Sequence, residues 1–85
     1  MYHLYLLRCV DGTLYAGITT DLARRVDEHN TSARGAKYTR ARRPVELMYS
    51  KKFRTRAAAS RAEYKLKQRS REEKLALISF PQKSG

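Results

Sequence analysis

The chain has 85 residues, with 19 lysines and arginines against 8 aspartates and glutamates, for a formal net charge of +11. A chain shorter than the usual domain of about 100 to 150 residues, burying only about 60% of its unfolded surface, leaves no room for a second functional module or a large interior cofactor cavity. The excess of cations predicts a polyanionic partner, with nucleic acid ahead of an anionic membrane surface. The lone Cys9 has no internal disulfide partner, the first four residues lack the basic and apolar runs of a secretory signal, and no apolar stretch approaches the roughly 18 residues of a membrane span. A cytoplasmic protein is expected.

In chain order, Tyr2 to Val10 is apolar or aromatic on both alternating sets, as in a strand covered on both faces. Asp11-Gly12 then makes a turn, and Leu14 to Ile18 returns as the second strand of a hairpin. Thr19, Thr20 and Asp21 are capping types for a helix that runs to about Asn30. From Thr31 to Arg43 the periodicity lapses into a loop carrying Arg34, Lys37, Arg40, Arg42 and Arg43 with no acid among them. After Pro44, Val45, Leu47 and Tyr49 alternate with Glu46, Met48 and Ser50, the pattern of a half-buried strand. Thr55 caps a helix with Ala58, Ala59, Ala62 and Leu66 on one stripe, and Ser70 with Glu73 forms a capping box for a last helix that turns Leu75 and Ile78 inward and ends at Phe80-Pro81. The order β-β-α-β-α-α predicts an α+β domain over 1–80, a three-stranded antiparallel sheet with the first strand central and helices flanking it, and a flexible tail over 81–85.

Chemistry concentrates at a few positions. On the first helix, Leu22 and Val26 define the buried stripe, Arg24 points away from it, and Arg25 and His29 lie along its edge at i, i+4. Packing can therefore aim the Arg25 guanidinium at a phosphate, or simply lay its stem over apolar surface. Glu63 flanks the stripe of the later helix and can either hold Mg²⁺, which accepts few protein ligands beside a phosphate, or pair with Lys67 at i, i+4. Tyr5 and Tyr15 sit in the hairpin, where a two-residue turn would put them on opposite faces; a shared site requires an odd-length turn or a bulge. Cys9 lacks a supporting His or Asp and reads as core, and His3 and His29 have no partners at zinc spacing.

Together, His3-Leu4-Tyr5, Tyr15-Ala16-Gly17, Arg25 with His29, and Glu63 resemble the GIY-YIG nuclease superfamily, above all its small stand-alone bacterial members. The run from Leu14 to Asn30, Lys37-Tyr38-Thr39-Arg40 and Arg43-Pro44 match the same pattern, so the likeness spans Tyr2 to about Ile78. The resemblance implies a metal-dependent endonuclease: Tyr5 and Tyr15 contact or activate the attacking water, Arg25 stabilises the phosphate, His29 assists with proton or phosphate contacts, and Glu63 ligates one Mg²⁺ or Mn²⁺. Gly17 is then a structural part of the second motif. The chain departs from the pattern at His3-Leu4, at Ala16 and at Ile18, where some relatives carry a lysine, and one catalytic cation is absent.

Two functions of different classes follow. One is hydrolysis of phosphodiester bonds in DNA, ahead of RNA, selective for backbone shape and linked to DNA repair or processing, with Arg34, Lys37, Arg40, Arg42 and Arg43 tracking phosphates. The other is a nucleic-acid-binding module of the same fold that cleaves weakly or not at all. A membrane partner is not expected, because no helix pairs a bulky apolar face with a continuous cationic one.

Overall fold

A computed structural model describes residues 1–31 and 37–79; Arg34, the helix end at Phe80-Pro81 and the expected tail lie outside the described residues. Strands β1 (Tyr2–Arg8) and β2 (Leu14–Thr19) form the hairpin. Its loop is the odd-length alternative that a shared tyrosine site requires. It runs from Cys9 to Thr13, where the Asp11 carboxylate accepts from the Thr13 N–H at 3.1 Å and the Thr13 hydroxyl at 2.6 Å, and Gly12 takes φ 85°. The odd-numbered loop sets Tyr5 opposite Gly17 and Leu7 opposite Tyr15. Directly opposed residues share a face, so Tyr5 and Tyr15 lie on the same side of the sheet.

Strand β3 (Glu46–Phe53) pairs antiparallel with the other side of β1, giving the order β2-β1-β3 with the doubly apolar strand central, as expected. Its simple alternation is corrected by a bulge. Tyr49 faces Leu6 but Leu47 faces Leu7, which leaves Met48 as the extra residue. Val45 therefore packs with Tyr5, Leu7 and Cys9 on one face, while Tyr49 packs with Leu4 and Leu6 on the other.

Helix α1 (Leu22–Thr31) covers the Tyr5 face with Leu22 and Val26, and Asp21 caps it by accepting from the Arg24 N–H at 3.1 Å. Its last turn is tied to β3 by Asn30, whose amide donates to the Val45 carbonyl at 3.1 Å and accepts from the Val45 N–H at 2.6 Å. Part of the expected basic loop is a single helical turn, α2 (Lys37–Arg40), with Thr39 fully buried. Helices α3 (Arg56–Gln68) and α4 (Arg71–Ser79) cover the opposite face, with Ala59 and Leu66 buried. Thr55 caps α3, and Ser70 and Glu73 close the capping box reciprocally at 2.9 and 3.2 Å. In α4 the inward residues are Leu77 and Ile78; Leu75, expected inside, stands at the surface, because the helix turns its 77–78 edge to the sheet.

Candidate active site

Tyr5 is the centre of the site. It is buried on the central strand, and its phenol extends across Gly17 of β2, where an added Cβ would lie only 2.6 Å from the ring carbon Cζ. A side chain of any size there would displace the ring. The hydroxyl meets Nε2 of His29 at 2.9 Å, and the opposite ring nitrogen, Nδ1, meets the Thr39 hydroxyl at 2.8 Å. Sequence position puts His29 at the rim of the α1 stripe; the structure buries it completely between a strand, its own helix and α2. Burial, and after it the nearby Arg25 and Arg43 charges, lowers the His29 pKa from 6.5 to about 4 despite the opposing carboxylate of Glu28, so the ring is neutral at pH 7.

Arg25 and Glu63 approach the same phenol. The Tyr5 pKa is raised, chiefly by burial and further by the Tyr15 and Glu63 charges, while a hydrogen bond and the positive charge of Arg25 oppose the rise. Arg25 is held by Glu28 at 3.0 Å and keeps 26% of its side chain exposed, against 69% for Arg24. Held by Glu28 and hydrogen-bonded to Tyr5, the guanidinium is fixed in place, and its planar fork suits a phosphate. Glu63 is half-buried and pairs with the more exposed Lys67 at 3.2 Å, so the i, i+4 pair read from the sequence does form. Among the described residues no group of three or more His, Cys, Asp or Glu side chains converges. A lone carboxylate suits Mg²⁺, which keeps several waters and takes its remaining ligands from a substrate phosphate.

A second layer lies beside these groups. Tyr15 meets the His29 ring edge-on at 5.3 Å and stacks with Tyr38 at 5.7 Å. Arg42 places its guanidinium 4.1 Å from the Tyr38 ring centroid, donates to the Tyr38 carbonyl at 2.9 Å and pairs with Asp11 at 3.1 Å. Arg43 donates to the carbonyls of His29 and Glu28, acceptors that the end of α1 leaves outside its own ladder. Of the four described cations assigned to phosphate tracking, Arg42 and Arg43 thus have structural work, whereas Lys37 and Arg40 are exposed. On α3, Tyr64 stands 67% exposed beside Arg61 and Lys65. Tyr38 and Thr39 entered the sequence reading only through the Lys37-Tyr38-Thr39-Arg40 match, with no role of their own, and Tyr64 not at all, since a buried threonine contact across the chain and an exposed ring leave no periodic signal.

The GIY-YIG catalytic domain family matches residues 1–76 of this chain. A UPF0213 protein of Desulfotalea psychrophila is 51% identical over 82 residues, covering 96% of this chain and 74% of that protein. Another, from Streptococcus agalactiae serotype V, is 54% identical over 76 residues, covering 89% and 85%. Among solved structures, the UPF0213 protein of Bacillus halodurans, determined by NMR in solution, superposes with a TM-score of 0.61 at 41% identity, covering 99% of this chain and 89% of that one. An NMR structure of a protein from E. faecalis gives 0.60 at 45% identity, covering 86% and 77%.

Proposed function

This chain belongs to the GIY-YIG nuclease family, and from that premise we propose that it is a single-domain, metal-dependent endonuclease that hydrolyses phosphodiester bonds in DNA in the course of repair or other processing. The observation that carries the reading is the buried Tyr5 hydroxyl, bonded to His29 at 2.9 Å and lying under the influence of Arg25 and Glu63. Phosphoryl transfer asks little covalent chemistry of a protein; it asks for positioning and for cations where charge grows.

Glu63 would hold the Mg²⁺ or Mn²⁺, which when bound acts as a Lewis acid on the phosphate and lowers the pKa of water. Arg25, aimed by its bonds to Glu28 and Tyr5, would place its positive charge against the non-bridging phosphate oxygens. The Tyr5 oxygen would accept a hydrogen bond from the attacking water, with neutral His29 behind it to receive the phenol proton. Tyr15, braced by Tyr38, would close the pocket on its β2 side. Lys37 and Arg40, together with Arg61, Tyr64 and Lys65, would offer phosphate and base contacts; exposed aromatic rings among cations suit single-stranded flanks. No helix among the described residues is long and apolar enough to cross a membrane, and a cytoplasmic enzyme is the reading we adopt.

The second reading, a nucleic-acid-binding module that cleaves weakly or not at all, draws on the Lys67 ammonium 3.2 Å from Glu63, which competes with a metal for that carboxylate. One experiment separates the two. Branched, flapped, nicked and linear DNA, and RNA, are incubated with the protein in Mg²⁺, Mn²⁺ or chelator, beside Glu63→Ala. Metal-dependent cutting of DNA that Glu63→Ala abolishes is expected; survival of every substrate under every metal condition would end the enzyme reading.

A further inference from the structure

Thr39 occupies a position for which the catalytic reading has no use. It sits on a helix of one turn, yet it is fully buried, and its hydroxyl contacts the imidazole of His29 at 2.8 Å on the side away from Tyr5. A buried hydroxyl costs stability unless it is hydrogen-bonded, and a valine of nearly the same shape would fill the space without that cost. At this point the hydroxyl is within hydrogen-bond reach of the ring that partners Tyr5.

The direction of the bonds follows from counting donors. A neutral imidazole carries one proton, on Nδ1 or on Nε2. Guanidinium groups only donate, so where Arg25 bonds to Tyr5 the phenol oxygen accepts. The Tyr5 proton then needs an acceptor, and Nε2 of His29 stands 2.9 Å away. With Nε2 accepting, the ring proton resides on Nδ1 and is donated to the Thr39 oxygen. The reverse arrangement would aim two donors at the phenol oxygen and turn its own proton into the phosphate site.

We infer that Thr39 is a positioning residue: by accepting from Nδ1–H it holds His29 in the tautomer whose Nε2 binds the Tyr5 proton, leaving a lone pair of the Tyr5 oxygen directed at the attacking water. The assignment of Thr39 to the tautomer rests on the two bonds of the His29 ring and on the Arg25 hydrogen bond to Tyr5, and its bearing on turnover rests on the nuclease reading above. The two are tested separately.

The chain has only two histidines, so in ¹⁵N-labelled protein a His3→Gln background leaves the His29 ring nitrogens as the sole imidazole signals. Without metal or substrate, their shifts are expected to show a protonated Nδ1 and an unprotonated Nε2. Thr39→Val is expected to move the proton toward Nε2 and to lower turnover on a cleaved DNA substrate by about tenfold with KM within about twofold, the loss of one ordinary hydrogen bond. Thr39→Ser is expected to restore both. A wild-type ring protonated on Nε2 overturns the proposal even if Thr39→Val fails to fold. So does a folded Thr39→Val that keeps its Nδ1 proton, or one whose tautomer shifts while turnover stays level. If no nucleic acid is cut by the wild type, the nuclease reading falls, while the nitrogen shifts still decide what Thr39 does.

Discussion

Gly17 and Tyr5 face each other across β1 and β2 at a separation that admits no side chain on the glycine, its added Cβ falling 2.6 Å from Cζ of the phenol. The second motif's glycine is therefore a requirement of the first motif's tyrosine. Gly17→Ala is expected to turn Tyr5 out of its place or push the strands apart, at a cost of about 1 to 3 kcal/mol. Urea denaturation measures the cost, and a variant as stable as the wild type would contradict the packing argument.

His29 makes stability depend on pH above the range where carboxylates titrate. Its pKa is lowered from 6.5 in the unfolded chain to about 4 in the fold, so the unfolded state binds the extra proton between those values. The stabilisation is complete above pH 6.5, diminishes as pH falls toward 4, and amounts to about 3 kcal/mol at about 1.4 kcal/mol per unit. Denaturation midpoints across this window should fall with acid, and an NMR titration should find His29 unprotonated at pH 5.5. A titration midpoint above 6 would refute the assignment.

Glu63→Gln separates chemistry from stability. It removes the charge that would hold the metal, along with a partly exposed i, i+4 pair worth only about 0.2 to 0.5 kcal/mol. Cleavage is expected to drop at least about a hundredfold, the scale at which single catalytic groups act, while the urea midpoint moves little. A large loss of stability would assign Glu63 to the fold instead.

The cations of the 37–43 stretch should divide into two classes. Replacing Lys37 by alanine should leave the fold alone and make the dependence of DNA binding on salt less steep, by about one unit of the log–log slope for the phosphate no longer neutralised. Arg42→Ala should lower stability by about 1 kcal/mol, as its partly exposed pair with Asp11 and its stacking on Tyr38 disappear together. Binding isotherms over a salt series, set beside denaturation curves, distinguish the classes.

Local signals carried much of this architecture. The doubly apolar Tyr2–Arg8 strand announced its central place, and Thr55 and Ser70 with Glu73 marked their helix starts through side chains that bond within three residues. What escaped was set by relations across the chain. The hairpin register depends on how Asp11 and Thr13 close a loop, and shifting it by one residue changes which tyrosine lies beside which glycine. The β3 bulge at Met48 hid behind an unbroken alternation, because an apolar residue at every second place looks identical until the partner strand is known. His29 read as a rim residue because α2, which closes over it with Thr39, came from a stretch without periodicity.

The irregularity at Met48 also shapes one outer edge of the sheet. Among the described strands β3 has a neighbour on one side only, and a straight outer strand invites a second chain to add to it. Here the interrupted ladder, together with exposed Lys51 and Lys52, makes the β3 edge a poor template for such pairing, while β2 forms the other edge of the sheet. The feature that sends Val45 to one layer and Tyr49 to the other thus also breaks the regularity of one outer edge of the sheet.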